Sequence, residues 1–244
     1  MRKVLVSWHG WNLYSYPTML YIGMVCGIFV AAWVAGLSGL DPNRFVPASM
    51  ILSIPALIGA RLFFVASHWD LYRNDRARIW RRSEGGMALY GGLLMAVPLS
   101  IPLLRVMDLS FAKFWDAATF NMLVGMIFTR FGCLLNGCCS GRPSASWLGL
   151  NLPDYHGVWR RRVPAQLLEA AWASVLLSGA FLLRGREPFD GAILCSVVLA
   201  YEIGRYFLQQ LRDDKIASDS GIIQLTSVLL AVAVLVGMAV AWTW

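Results

Sequence analysis

Six ionisable residues stand inside or at the ends of strongly apolar segments: Arg61, Arg130, Glu169, Glu202, Arg205 and Arg212. A charge at bilayer depth costs about 2.5–3.5 kcal/mol on insertion scales, so it normally faces a partner or a cavity. Taken singly, each has a plainer reading as an interhelical ion pair or a side chain that snorkels to the interface. Arg130, Glu169, Arg205 and Arg212, however, fall near the ends of three separate segments. Two or more guanidinium groups facing one cavity suit a phosphate, whose oxygens match their planar fork of donors. Between membrane helices, that phosphate is most simply a phospholipid headgroup.

Arg130 opens the richest stretch, Thr129–Gly141, which reads Thr-Arg-Phe-Gly-Cys-Leu-Leu-Asn-Gly-Cys-Cys-Ser-Gly. Gly132, Asn136, Gly137 and Gly141 break helical regularity here. Its cysteines, Cys133, Cys138 and Cys139, lack a Cys-x-x-Cys spacing and have no histidine nearby, which argues against a metal site. Cys26 and Cys195 lie in apolar runs, where a thiol behaves as a small hydrophobe. Five cysteines in this arrangement do not form a secreted disulfide framework. The three histidines, His9, His68 and His156, are scattered, and no nucleotide-cradling glycine loop is present. The chemistry expected is therefore free of metal and cofactor.

The elements that must position these residues are membrane helices. Of the 244 residues 58% are hydrophobic and 14% charged, and the mean hydropathy is +0.58, outside ordinary soluble usage. About 20 apolar residues span a hydrocarbon core. Runs of that kind predict seven spans, at 17–40, 45–67, 85–104, 114–135, 164–183, 189–211 and 221–244. The fold class expected is an all-α polytopic membrane protein, with 1–244 a single membrane domain. Residues 68–84, rich in arginine and tryptophan, read as a basic interfacial arm, and 136–162 as a small extramembrane head. Pro47 fits the first turn of the second helix, and Pro55 is expected to kink it. The formal charge of +7 accompanies eleven tryptophans and eight tyrosines, a combination that favours the bilayer interface over nucleic acid.

Five blocks in order give the chain a specific resemblance. Ile58-Gly59-Ala60-Arg61-Leu62 looks like a Gly-Arg-rich second helix, and residues 84–93 resemble Gly-Gly-Met-x-x-His-Gly-Gly-Leu. Thr129–Gly141 resembles Gly-Arg-x-Gly-Asn-x-x-Asn-Gly-Glu-x-x-Gly. Residues 162–169 look like His-Pro-x-Gln-x-x-Glu, and 205–213 like Arg-Phe-x-x-Glu-x-x-Arg. Together these blocks resemble the prolipoprotein diacylglyceryl transferases of bacteria. The resemblance departs from the family pattern where Tyr90 replaces a histidine, where Cys133 and Cys138 replace Asn and Glu, and where Leu20 aligns with a tyrosine.

The resemblance implies transfer of the diacylglyceryl group of phosphatidylglycerol to the lipobox cysteine of a prolipoprotein signal peptide, releasing glycerol phosphate. Arg130 and Arg212 are then the essential arginines on the phosphate. Tyr90 is the third catalytic candidate, placed to hydrogen-bond the lipid or the thiol. Arg61, Gly91, Gly92, Asn136, Gly141, Gln166, Glu169 and Arg205 are the expected substrate-binding residues. The alternative is a divergent paralogue that binds or moves anionic phospholipid without transfer. Two rules compete over orientation in the bacterial inner membrane. The positive-inside rule places the arginine-bearing loops in the cytoplasm, whereas the resemblance places them and the N-terminus outside, with the C-terminus cytoplasmic.

Overall fold

A computed structural model describes residues 3–8, 11–67, 69–73, 75, 76, 79, 88–147, 149–153 and 158–212. Among these, six helices are long and apolar enough to cross a membrane. They are α1 (Ser15–Leu37), α2 (Pro42–Ser67), α4 (Leu89–Val106), α5 (Phe111–Asn136), α6 (Ala165–Leu183) and α7 (Ala192–Gln209), with α3 (Trp69–Tyr72) a single turn between α2 and α4. The expected seventh span, at 221–244, and most of the basic arm at 68–84 lie outside the described residues. Large apolar side chains such as Phe29, Leu94 and Leu182 are exposed on the helices, as lipid-facing positions must be when no water drives them inward.

The helix starts follow from local chemistry. Asp41 caps α2: its carboxylate accepts from the Asn43 amide at 2.9 Å, and its carbonyl accepts from the Arg44 and Phe45 amides. Pro42 takes the first helical position, where a missing N–H costs nothing. Pro47 therefore lies one turn deeper than expected, and α2 runs on through Pro55. Inside the spans, hydroxyls donate to carbonyls of their own helix, as Ser53 does to Ser49 (2.8 Å) and Thr129 to Gly125 (2.7 Å). This satisfies polar groups that hydrocarbon cannot.

Two short antiparallel hairpins supplement the helices. β1 (Val4–Trp8) pairs with β2 (Trp11–Tyr14), and the Ser15 amide at the start of α1 donates to the Lys3 carbonyl at 2.9 Å. The N-terminal aromatic segment is thus a hairpin, as its Val-Leu-Val and Trp-Asn-Leu-Tyr runs favour. β3 (Leu150–Pro153) pairs with β4 (Trp159–Arg162), within the segment expected to form the extramembrane head.

The chain divides into two compact units: residues 1–27 with 119–244, and residues 28–118. In the second unit α2 packs on α4, with Phe45 against Phe114 (ring centroids 5.0 Å apart) and the Trp115 indole donating to Ser100 Oγ at 3.1 Å. In the first unit α6 packs on α7, and Phe120 of α5 meets Phe181 of α6 at 4.8 Å between centroids.

Candidate active site

The first unit gathers the charged residues of three helices. Met126 and Arg130 lie four apart on α5, Gln166, Glu169 and Trp172 three apart on α6, and Tyr201, Arg205 and Leu208 follow one face of α7. A pocket opens between these faces, lined by Arg130, Glu169, Trp172, Tyr201, Arg205 and Arg212 among others. Glu169 is its centre. Arg130 Nε approaches Glu169 Oε2 at 2.5 Å, and Arg212 Nη1 lies 3.6 Å from Oε1. Both arginines thus share one carboxylate whose side chain is only 12% exposed, and this trio carries a net charge of +1. Oε2 meets Arg130 as a charge without a directed hydrogen bond.

Arg212 is held by backbone far away in sequence. Beyond α5, residues 140–144 run as an extended ribbon between the end of β4 and the end of α7. Gly141 bridges Arg212, and Pro143 bridges Arg162. The Gly141 amide donates to the Val163 carbonyl (2.9 Å), and the Arg142 amide to the Leu211 carbonyl (3.0 Å). A Cβ on Gly141 would lie 2.6 Å from the Leu211 oxygen and 2.7 Å from the Val163 oxygen. Only glycine lets the ribbon pass so close.

Gln166, 1% exposed, reaches from α6 to donate to the Cys138 carbonyl at 2.6 Å. It therefore braces the turn after α5 instead of lining the pocket. Asn136 ends α5, and its side chain hydrogen-bonds Cys138. Arg205 lines the pocket and donates to the Tyr201 hydroxyl at 3.1 Å. The arginine triplet at 160–162 is partly structural: Arg161 Nε donates to the Gly149 carbonyl at 3.1 Å, and Arg162 is buried.

Arg61, Tyr90, Gly91 and Gly92 belong to the second unit. There Arg61 is buried, with Nε donating to the Ile79 carbonyl at 2.7 Å and its guanidinium over the rings of Phe64 and Tyr72. Tyr90 is half-buried in the first turn of α4. Gly91 crosses α2 so closely that a Cβ would collide with the Gly59 carbonyl and Phe63. Gly92 is buried beside Gly91.

Three residues join the site without having been expected there. Tyr201 and Trp172 line the pocket, and each could have been found by stepping four before Arg205 and three beyond Glu169 on a helix. Tyr16, one turn before Leu20 on α1, interacts electrostatically with Arg130 and with Cys133, Cys138 and Cys139. The two cysteines beyond α5 differ in acidity. Cys139 lies well below the usual thiol range, held there by hydrogen bonds from Cys133 and then Cys138, with Arg212 and Arg130 assisting against burial. Cys138 is lowered by its bond with Cys133, but Cys139 and burial outweigh this and push it up to about 11.

Fold and site define a class: a multi-pass membrane protein with a pocket in which two arginines share one carboxylate. The family model described as prolipoprotein diacylglyceryl transferase matches residues 3–243. The chain belongs to that family. Among its relatives is the phosphatidylglycerol–prolipoprotein diacylglyceryl transferase of Bacillus cytotoxicus, 29% identical over 88% of this chain and 83% of its own. The identically named proteins of Halalkalibacterium halodurans (26% identical, covering 99% and 86%) and Bacillus velezensis (29% identical, covering 93% and 87%) are similar in the same way.

Proposed function

We propose that this protein transfers the diacylglyceryl group of phosphatidylglycerol to the lipobox cysteine thiol of prolipoproteins, releasing glycerol phosphate. The observation that carries the reading is the Arg130–Glu169–Arg212 trio at the edge of a pocket between membrane helices, in a chain of this family. The acceptor sulfur bonds to the glyceryl carbon as that carbon's bond to the phosphate oxygen breaks, and the thiol gives up its proton. The electron pair leaves on the phosphate, and the thiol's proton passes, directly or through water, to the glycerol phosphate released. Two guanidiniums fixed at that position oppose the growing charge, and in a site with little water this is worth far more than in solution.

Glu169 keeps the two cations together before lipid arrives. Without a shared carboxylate they would repel, and the lipid would have to assemble its own clamp. Arg205, steadied by Tyr201, adds a third cation to the pocket wall. On this reading Tyr90 hydrogen-bonds the lipid or the thiol, and the arginines' field favours the thiolate. Asn136, Gly141 and Gln166 act by holding the turn and ribbon that position Arg212. Arg61, Gly91 and Gly92 support the lipid-facing surface of α2 and α4.

The protein works in the bacterial inner membrane, with the N-terminus and the arginine-bearing loops outside and the C-terminus in the cytoplasm. A C-terminal tag that an impermeant reagent reaches in intact cells overturns that orientation. Incubating purified protein with phosphatidylglycerol and a lipobox peptide tests the reaction. Wild type releases glycerol phosphate and leaves a thioether on the peptide, and Arg130→Ala does neither. Lipid binding without release would make it a phospholipid-binding protein, and normal release by Arg130→Ala would sink the mechanism.

A further inference from the structure

The transfer reaction makes no use of Cys133, Cys138 and Cys139, yet the fold brings them together. Their spacing gave little reason to expect this. Helix α5 ends at Asn136, and the chain then folds back over its last turn: the Gly137 amide donates to the Leu134 carbonyl (3.2 Å) and the Cys138 amide to the Cys133 carbonyl (3.1 Å). Gly137 (φ 75°) and Cys139 (φ 61°) both take left-handed backbone, which is uncommon for a residue with a side chain. Gln166 clamps the same turn from α6 through its 2.6 Å bond to the Cys138 carbonyl. As a result the three Sγ atoms lie within 4.8 Å of one another.

That separation suits a metal. A metal–thiolate bond of about 2.3 Å places three sulfurs in trigonal array about 4 Å apart, within reach of small side-chain rotations. The ligand set is sulfur alone, which selects soft, thiophilic cations over magnesium or calcium. Burial is graded, with Cys133 buried and Cys138 and Cys139 half-buried, so an ion has a way in. Three thiolates around zinc(II) carry a charge of −1, and around copper(I) −2. Arg130 and Arg212 stand close enough to act electrostatically on Cys139, supplying the compensating charge that such an anion needs.

We propose that Cys133, Cys138 and Cys139 form a three-thiolate site for a soft cation of the zinc(II) or copper(I) class. Binding exchanges the thiol protons for the ion, without oxidation of any group. Zinc would keep a fourth position for water or another ligand, whereas copper(I) is satisfied by three sulfurs. The site would take its ion whether or not the chain transfers lipid, because its ligands are sulfurs that the transfer reaction does not use.

The test uses full-length protein in detergent, kept reduced, stripped with a chelator and offered zinc(II) or copper(I) in separate arms. One equivalent of either ion is expected to remain after desalting, and cobalt(II) in place of zinc is expected to give sulfur-to-metal charge-transfer absorption. Cys139→Ser should lose at least nine-tenths of the binding, and Cys26→Ser should keep it. Cys133→Ser removes a buried side chain, so thermal unfolding is followed alongside. If the variants fail to fold, wild type decides: bound zinc should protect the peptides carrying Cys133, Cys138 and Cys139 from alkylation, read by mass spectrometry. Retention equal to that of Cys139→Ser, or no protection in either metal arm, overturns the proposal.

Discussion

Gly141→Ala is expected to slow transfer about tenfold in protein that still folds. The added Cβ would stand 2.6 Å from the Leu211 oxygen and 2.7 Å from the Val163 oxygen, about 0.8 Å short of ordinary van der Waals contact, so the ribbon and the Leu211 wall must each retreat roughly 0.4 Å. Both walls are tied by hydrogen bonds, at 2.9 Å to Val163 and 3.0 Å to Leu211. Overpacking of this kind costs about 1–3 kcal/mol of stability. Leu211 is joined directly to Arg212, whose guanidinium is already 3.6 Å from Glu169. A misplacement of about 1 Å in a reacting geometry costs roughly a hundredfold. A little under half of that displacement therefore corresponds to about a tenfold loss, or about 1.4 kcal/mol of barrier. Glycerol phosphate release from phosphatidylglycerol, in the presence of a lipobox peptide, measures it. Gly179→Ala is the control: its Cβ meets nothing within 4 Å near the C-terminal end of α6, so the rate should be that of wild type. A folded Gly141→Ala protein that turns over as wild type does would refute the idea that the ribbon positions Arg212.

Other substitutions test the remaining contacts. Arg130→Lys keeps the charge and loses the fork, so kcat/KM should fall by roughly 10²–10³; a value within threefold of wild type contradicts bidentate phosphate binding. Glu169→Gln removes the charge that holds the two guanidiniums together, so KM for phosphatidylglycerol should rise while kcat falls, and unchanged constants would remove Glu169 from the site. Gln166→Leu strips the Cys138 carbonyl of its 2.6 Å donor, costing about 1–3 kcal/mol, which a lowered unfolding midpoint reads and an unaltered one denies. Tyr90→Phe should slow transfer at least tenfold with phosphatidylglycerol binding retained, and full activity would confine Tyr90 to packing.

Much of the architecture was legible because membrane insertion depends on hydropathy summed along one segment. The described spans follow the apolar runs to within a few residues, the largest offset being at α4, which begins at Leu89. Arg130, Glu169, Arg205 and Arg212 stood out for a related reason: a charge beside hydrocarbon is costly wherever the helix finally packs. The N-terminal hairpin was not legible, because short aromatic runs beside a membrane read equally well as an interfacial segment. Tyr16 escaped notice for a different reason. Nothing in its own surroundings in the sequence points toward Arg130 or the cysteines at and beyond the end of α5.

By itself, then, the sequence determined that this chain is a multi-pass membrane protein and which charged residues needed explaining. Both depend on local sums and spacing. Tertiary structure decided that Arg130 and Arg212 share Glu169, that Gly141 is wedged between Val163 and Leu211, and that Gln166 braces a turn. It also drew three cysteines with no recognisable spacing to within 4.8 Å. Such facts depend on residues distant in the chain and on left-handed backbone at Gly137 and Cys139. No periodicity encodes either.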